Sequence, residues 1–119
     1  MTIKVFDSEL KVMEALWKDG DLTAGQLVKI LKAQTGWNPN TTYTVIGKLI
    51  DKGAIERYGT NFSCRAIITK EQVQQYEAKE LVGKLFDGSG LAFLSAFLSG
   101  NELSEDEIEQ LKQIVERLS

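Results

Sequence analysis

The sequence contains no histidine at all. That removes Ser-His and Cys-His nucleophilic pairs, together with the side chain that most readily shuttles protons near neutral pH. Cysteine is almost as scarce. Cys64 stands alone, so the sequence offers neither an intrachain disulfide nor a cysteine cluster for zinc or copper, and no metal site is expected. The carboxylates fall on polar helix faces, where solvation accounts for them, so neither an enzyme nor a cofactor is expected. No uninterrupted apolar run reaches the ~18 residues of a bilayer-spanning helix. The opening Met-Thr-Ile-Lys-Val-Phe-Asp lacks the basic and then apolar blocks of a secretory signal. These absences point to the cytoplasm and away from a membrane.

What is present is a foldable chain. With 43% hydrophobic residues and a single proline in 119 residues, it can bury a core and does not read as a disordered tail. The net charge of −3 hides a division. Residues 1–70 hold ten Lys and Arg against seven acids, a balance of +3; residues 71–119 hold four against ten, a balance of −6. A basic front and an acidic back fit a chain whose front alone meets phosphate.

Hydrophobic spacing gives the order of elements. Asp7 or Ser8 caps a first helix with Leu10, Met13, Leu16 and Trp17 on one stripe, stopped by Asp19-Gly20. Thr23 with Gln26 forms a capping box for a second helix that buries Leu27, Ile30 and Leu31 and ends at Thr35-Gly36. A third helix spans 38–52: Asn38 caps it, Pro39 takes the first turn, where its missing N–H costs nothing, and Gly53 suits the left-handed position just past its end. Two strands over 55–68 flank the turn residues Gly59-Thr60-Asn61. Helix, helix, helix, hairpin is the order of a winged helix-turn-helix. The remainder reads as all helix. Thr69 with Gln72 opens one helix, Leu91 to Leu98 is apolar at nearly every position, and Ser104 with Glu107 caps a last helix.

The expected architecture is therefore mostly α with a small β-hairpin wing: a DNA-binding domain over residues 1–70 and an all-α dimerisation region over 71–119. Fifty residues in three helices rarely hold a core of their own, and the middle helix is too apolar to face water. Leu91, Leu94, Phe97 and Leu98, with Ile108, Leu111 and Val115 of the last helix, are the residues expected at a homodimer interface. Ordinary packing within one chain is the competing reading of the same residues.

An α-helix fits the major groove, and its exposed polar residues decide what it reads. On the third helix, Thr42, Val45, Ile46, Leu49 and Ile50 can face a core, leaving Asn40, Thr41, Thr44, Lys48 and Asp51 mainly on the other side; Asp51, an acid near the helix end, should lie away from phosphates. Asn bonds adenine in bidentate fashion, Thr offers a hydroxyl and a methyl for thymine, and Lys reaches guanine or phosphate. Asn38 and the N–H groups around it suit a backbone phosphate, while Arg57, Asn61 and Arg65 suit phosphates met by the wing. Trp37 fits either the sugar-phosphate edge or a half-buried structural position. Gly47, mid-helix, permits close approach to a neighbour or to DNA.

At these residues the chain resembles the penicillinase repressor family, the BlaI/MecI/CopY group. The resemblance begins at Ser8-Glu9-Leu10-Lys11-Val12-Met13 and Leu16-Trp17, and is most specific from Trp37-Asn38-Pro39-Asn40-Thr41-Thr42-Tyr43-Thr44 through Lys48 to Gly53. It continues at Leu85-Phe86-Asp87-Gly88-Ser89 and 103–108. It implies a winged-helix homodimer that represses transcription by occupying a palindromic operator, an inverted repeat in double-stranded DNA, with Trp37, Asn40, Thr41, Thr44 and Lys48 at positions that meet DNA. It also implies a sensor or protease that relieves repression. In members answering to β-lactam receptors, cleavage falls at an Asn-Phe bond; the aligned pair here is Ala96-Phe97. The cysteine-rich C-terminal motif of the copper-responsive branch is missing. Cys64 stands where many relatives carry an aromatic residue, as a small strand residue or, alternatively, a thiol sensor. Two other readings remain compatible with the residues: a winged helix used for protein interaction, and a ligand-gated regulator without the proteolytic switch.

Overall fold

The computed structural model describes residues 3–119. Its elements run α1 (Asp7–Asp19), β1 (Leu22–Thr23), α2 (Ala24–Thr35), α3 (Pro39–Asp51), β2 (Ile55–Tyr58), β3 (Ser63–Ala66), α4 (Lys70–Leu85), α5 (Gly90–Gly100) and α6 (Glu105–Leu118). Three helices followed by an antiparallel hairpin make a winged helix-turn-helix, and helices alone follow it. Two compact units are distinguished, the first ending at Ala78 and the second covering Lys79–Ser119.

The local chemistry accounts for most of the boundaries. The Thr23 hydroxyl accepts the Gln26 N–H at 3.1 Å while Gln26 Oε1 accepts the Thr23 N–H at 2.8 Å, so two orphan donors at the start of α2 are satisfied reciprocally. The same exchange opens α4 through Thr69 and Gln72, and Ser104 and Glu107 repeat it at α6. Asn38 Oδ1 accepts the Thr41 N–H at 2.9 Å to start α3. At the other end of α3, Gly53 adopts φ +80°, donating to Ile50 O at 3.0 Å while Ala54 donates to Leu49 O at 2.9 Å. This pair of hydrogen bonds is the Schellman arrangement, and its left-handed position favours a residue without a Cβ.

Two boundaries differ from expectation. Helix α1 begins at Asp7 with Phe6 as its cap residue, because the Glu9 carboxylate accepts the Phe6 N–H at 2.9 Å and carries the start back along the chain. In the hairpin, Phe62 belongs to the turn and β3 begins only at Ser63, since Phe62 takes a left-handed φ of +51° that a strand cannot continue. Strand β1 was not anticipated. It is two residues long and pairs Leu22 with Cys64 and Thr23 with Ser63, giving the sheet order β1-β3-β2.

One hydrophobic core runs through the first unit. Val12, Met13 and Leu16 of α1 meet Leu27 and Leu31 of α2, Ile46 and Leu49 of α3, and Ile55 and Cys64 of the sheet. The Trp17 indole N–H donates to Ile68 O at 3.0 Å, tying α1 to the segment that leads into α4, whose Val73 is also buried. The second unit buries no residue. Within it, Phe93 meets Phe86 edge-on at 5.5 Å and Phe97 at 6.2 Å. Leu91 is 79% exposed, Phe97 50% and Leu118 82%. Ala96 and Phe97 lie inside α5, so a protease that needs an extended substrate reaches that bond only after the helix opens. Among the described residues no single helix is long and apolar enough to cross a membrane.

Candidate nucleic-acid interface

The site is built on α3, because that helix divides cleanly into two faces. Thr42, Val45, Ile46 and Leu49 are buried, whereas Asn40, Thr41, Thr44, Lys48 and Asp51 are exposed. The second set recurs at about one-turn intervals, so five polar side chains, Asp51 the one acid among them, stand outward on a helix whose back is fixed by the core. A helix held this way presents its outer face with little freedom to rotate.

These residues share one feature of the surface. Ser8, Trp37, Asn38, Asn40, Thr41, Thr44, Val45 and Lys48 line an open cleft of about 440 Å³ between the start of α1 and the outer face of α3. Trp37 forms one wall and is itself half-buried against the core, so its ring is both structural and accessible. The Asn38 side-chain oxygen Oδ1 is committed to the Thr41 N–H and hydroxyl, so what its amide has left to offer a ligand is its NH₂ donors. A Cβ built on Gly47 meets nothing within 4 Å, so no neighbour within the chain requires glycine there.

Beside the cleft lies an ion pair that the residue pattern did not single out. Glu9 is only 3% exposed, and its Oε1 accepts from Lys52 Nζ at 2.7 Å as well as from the Phe6 N–H. Lys52 also donates to Lys4 O at 2.9 Å. One carboxylate therefore fastens the N-terminal segment and the first turn of α1 to the end of α3. Lys48, one turn earlier on α3, has no carboxylate partner among the described residues and stays free.

The wing presents its two arginines differently. Arg65 Nε donates to Asp21 Oδ2 at 3.2 Å, its guanidinium lies 3.8 Å from Glu56 and 4.4 Å from the Tyr58 ring centre, and Tyr58 Oη donates to the same Asp21 oxygen at 2.6 Å. The Tyr58 hydrogen bond, followed by the hydrogen bond and charge of Arg65, holds the Asp21 carboxyl below the usual carboxylate range. Arg57 has no carboxylate partner among the described residues; it lies over the Phe62 ring at 3.7 Å. Asn61 is exposed in the turn between the strands. Cys64 is fully buried, and that burial pushes its thiol pKa up, against the pull of the Arg57 charge. A buried thiol kept in its protonated form is a poor nucleophile and a poor sensor.

The expected interface residues of the tail are brought together as two stripes. Leu91, Leu94, Phe97 and Leu98 share α5, and Ile108, Leu111 and Val115 recur along α6. None of the seven is buried within the chain.

Comparison with known proteins is consistent in direction. The penicillinase repressor of Bacillus licheniformis is 28% identical over 115 residues, covering 95% of this chain and 90% of that protein. The methicillin resistance regulatory protein MecI of Mammaliicoccus sciuri is 26% identical over 118 residues, covering 98% and 96%. Among solved structures, the monomeric form of Bacillus licheniformis BlaI in complex with the blaP half-operator superposes with a TM-score of 0.53 at 28% identity, over 60% of this chain and 90% of that one. The family model described as penicillinase repressor matches residues 6–117, and the chain belongs to that family.

Proposed function

We propose that this chain is a homodimeric transcriptional repressor of the cytoplasm, which occupies a palindromic operator by laying α3 in the major groove and the wing along the backbone. Residues 1–70 are the DNA-binding part and 71–119 the helical dimerisation region. The observation that carries the reading is the row Asn40, Thr41, Thr44 and Lys48, exposed on a helix whose other face is locked into the core. It gains weight from the likeness to a BlaI fold solved on a half-operator. Asn40 and Thr44 are assigned to base edges, Lys48 to guanine or phosphate, and Thr41, Trp37 and Asn38 to the backbone beside them. The uncovered stripes of α5 and α6 support the dimer, because apolar helix faces of this size are stable in water only against a partner. A two-fold dimer then sets two reading helices on two half-sites.

The test is binding of the purified chain to a duplex drawn from the DNA upstream of its own gene. Two chains should bind one inverted repeat, with affinity falling on the order of 10³-fold between about 50 and 200 mM salt. Lys48→Ala should weaken binding to every sequence and lower the salt slope by about one; Asn40→Ala or Thr44→Ala should also relax base preference, by about 1–3 kcal/mol. Three silent substitutions would remove α3 as the reading helix.

A further inference from the structure

The two wing arginines differ in what holds them, and the difference traces to Phe62. Its backbone sits at φ +51°, a region that bulky L-residues avoid, so the surrounding structure holds it there. The hold is visible: Phe62 O accepts the Ala24 N–H at 2.9 Å, which fastens the turn to the start of α2. Its ring serves two neighbours. The Arg57 guanidinium lies over it at 3.7 Å, and the Tyr43 ring of α3 stands 5.9 Å away at a tilt of 57°. Tyr43 is 44% exposed and flanks the row of polar residues on α3. Phe62 thus joins the wing to the flank of α3 through an aromatic contact on one side and a stacked cation on the other.

Stacking settles what Arg57 has left to offer. A guanidinium lying on a ring is held in orientation while its N–H edge stays free, and that edge matches the oxygens of a phosphodiester. Arg65 also lies against a ring, that of Tyr58 at 4.4 Å, but its N–H edge already faces the carboxylates of Asp21 and Glu56. We propose that Phe62 is a positioning residue that sets Arg57 against a backbone phosphate of duplex DNA in register with α3, with Tyr43 bracing the ring from the helix side, and that Arg65 serves the wing's structure and not DNA. This assignment rests on the repressor reading above. A strained aromatic at the turn is what keeps wing and reading helix at one fixed spacing on the duplex.

The experiment uses the full chain and a duplex selected by that chain from a random pool. Phe62→Leu and Arg57→Ala should each weaken binding roughly tenfold and lower the salt slope by about one. The double variant should be no weaker than either alone, because the two act as one unit. Phe62→Tyr, which keeps the ring, should stay within about twofold of the parent. Arg65→Ala should lower the melting temperature and leave the salt slope unchanged. Additive losses in the double variant overturn the proposal, as does a slope that falls with Arg65→Ala or a tight-binding Phe62→Leu. If Phe62→Leu does not fold, Arg57→Lys decides: it keeps the charge but not the planar stack and should lose most of the affinity that Arg57→Ala loses, whereas full binding overturns the proposal. A parent chain that enriches no duplex at all overturns the repressor reading itself, which separates that failure from this one.

Discussion

The two units of this chain solve the problem of apolar surface in opposite ways. In the first, α1, α2, α3 and the sheet close on one another, and every buried residue of the described chain lies between Val5 and Val73. In the second, α5 and α6 are equally regular helices with well-formed N-caps, yet they bury nothing. Cap and helix propensity are satisfied in both, so the contrast isolates the contribution of packing. A helix is specified locally; its burial depends on finding a complementary face. The first unit finds that face within itself. The second leaves Leu91, Phe97 and Leu118 to water unless another surface arrives, and a second copy of the same tail supplies it in the proposed dimer.

The sharpest way to break this contrast is to charge the uncovered stripe. Leu91→Glu with Phe97→Glu should leave the first unit's thermal transition in place, because that unit's core is built from residues 5–73, while sedimentation equilibrium shows a monomer. Operator affinity should then fall on the order of 100-fold, the linkage of two half-sites being lost. A variant that stays dimeric and binds normally would show that the stripe is covered some other way. Within the first unit, Glu9→Ala should work in reverse, lowering stability by about 2 kcal/mol in denaturant titration while leaving the dimer intact. It strands Lys52 and releases the Phe6 N–H that starts α1.

Smaller effects sharpen the picture of the core. The Thr42 hydroxyl is buried on α3 without a hydrogen-bond partner among the described residues. Thr42→Val keeps the shape and removes the unmet group, so stability should rise by about 1 kcal/mol, read as a shift of the unfolding midpoint at unchanged slope. The smallest effect concerns the wing. The Asp21 carboxyl sits below its ordinary value of 3.8 because of Tyr58 and then Arg65. A carboxyl with a depressed folded-state pKa stabilises the fold above its unfolded value and loses that contribution as pH falls through the folded value. The advantage of the parent chain over Asp21→Asn should therefore hold at neutral pH and shrink as the pH drops below about 4. A constant difference across that range would mean that the charge of Asp21 does not matter.

Much of this was legible in the residues themselves. Caps at Thr23, Asn38, Thr69 and Ser104 depend on contacts three residues apart, and so does the division of α3 into a buried and a polar face; such short-range rules act before tertiary structure exists. Gly53 announced the end of α3 for the same reason. What escaped was non-local or conformational. Strand β1 exists only because Leu22 and Thr23 meet a partner some forty residues away, and two residues are too few to leave a periodicity. Glu9 looked like an ordinary surface acid until Lys52, far along the chain, closed over it. Phe62 looked like the first residue of a strand, since nothing in its neighbours shows a left-handed backbone.

By itself, then, the amino-acid order determined which segments are helices, where most of them start and stop, and which polar side chains stand outward on α3. It also excluded histidine chemistry and an intrachain disulfide by composition. Tertiary structure alone decided that Arg65 is held by Asp21 and Glu56 while Arg57 lies on the Phe62 ring with no carboxylate partner among the described residues, and that the first unit closes while the second does not. Two arginines eight positions apart are equivalent as sequence. Both end on a ring, Tyr58 for Arg65 and Phe62 for Arg57, and they part only when folding brings carboxylates to Arg65 and, among the described residues, none to Arg57, because the partners of a charge are chosen by distance in space and not along the chain.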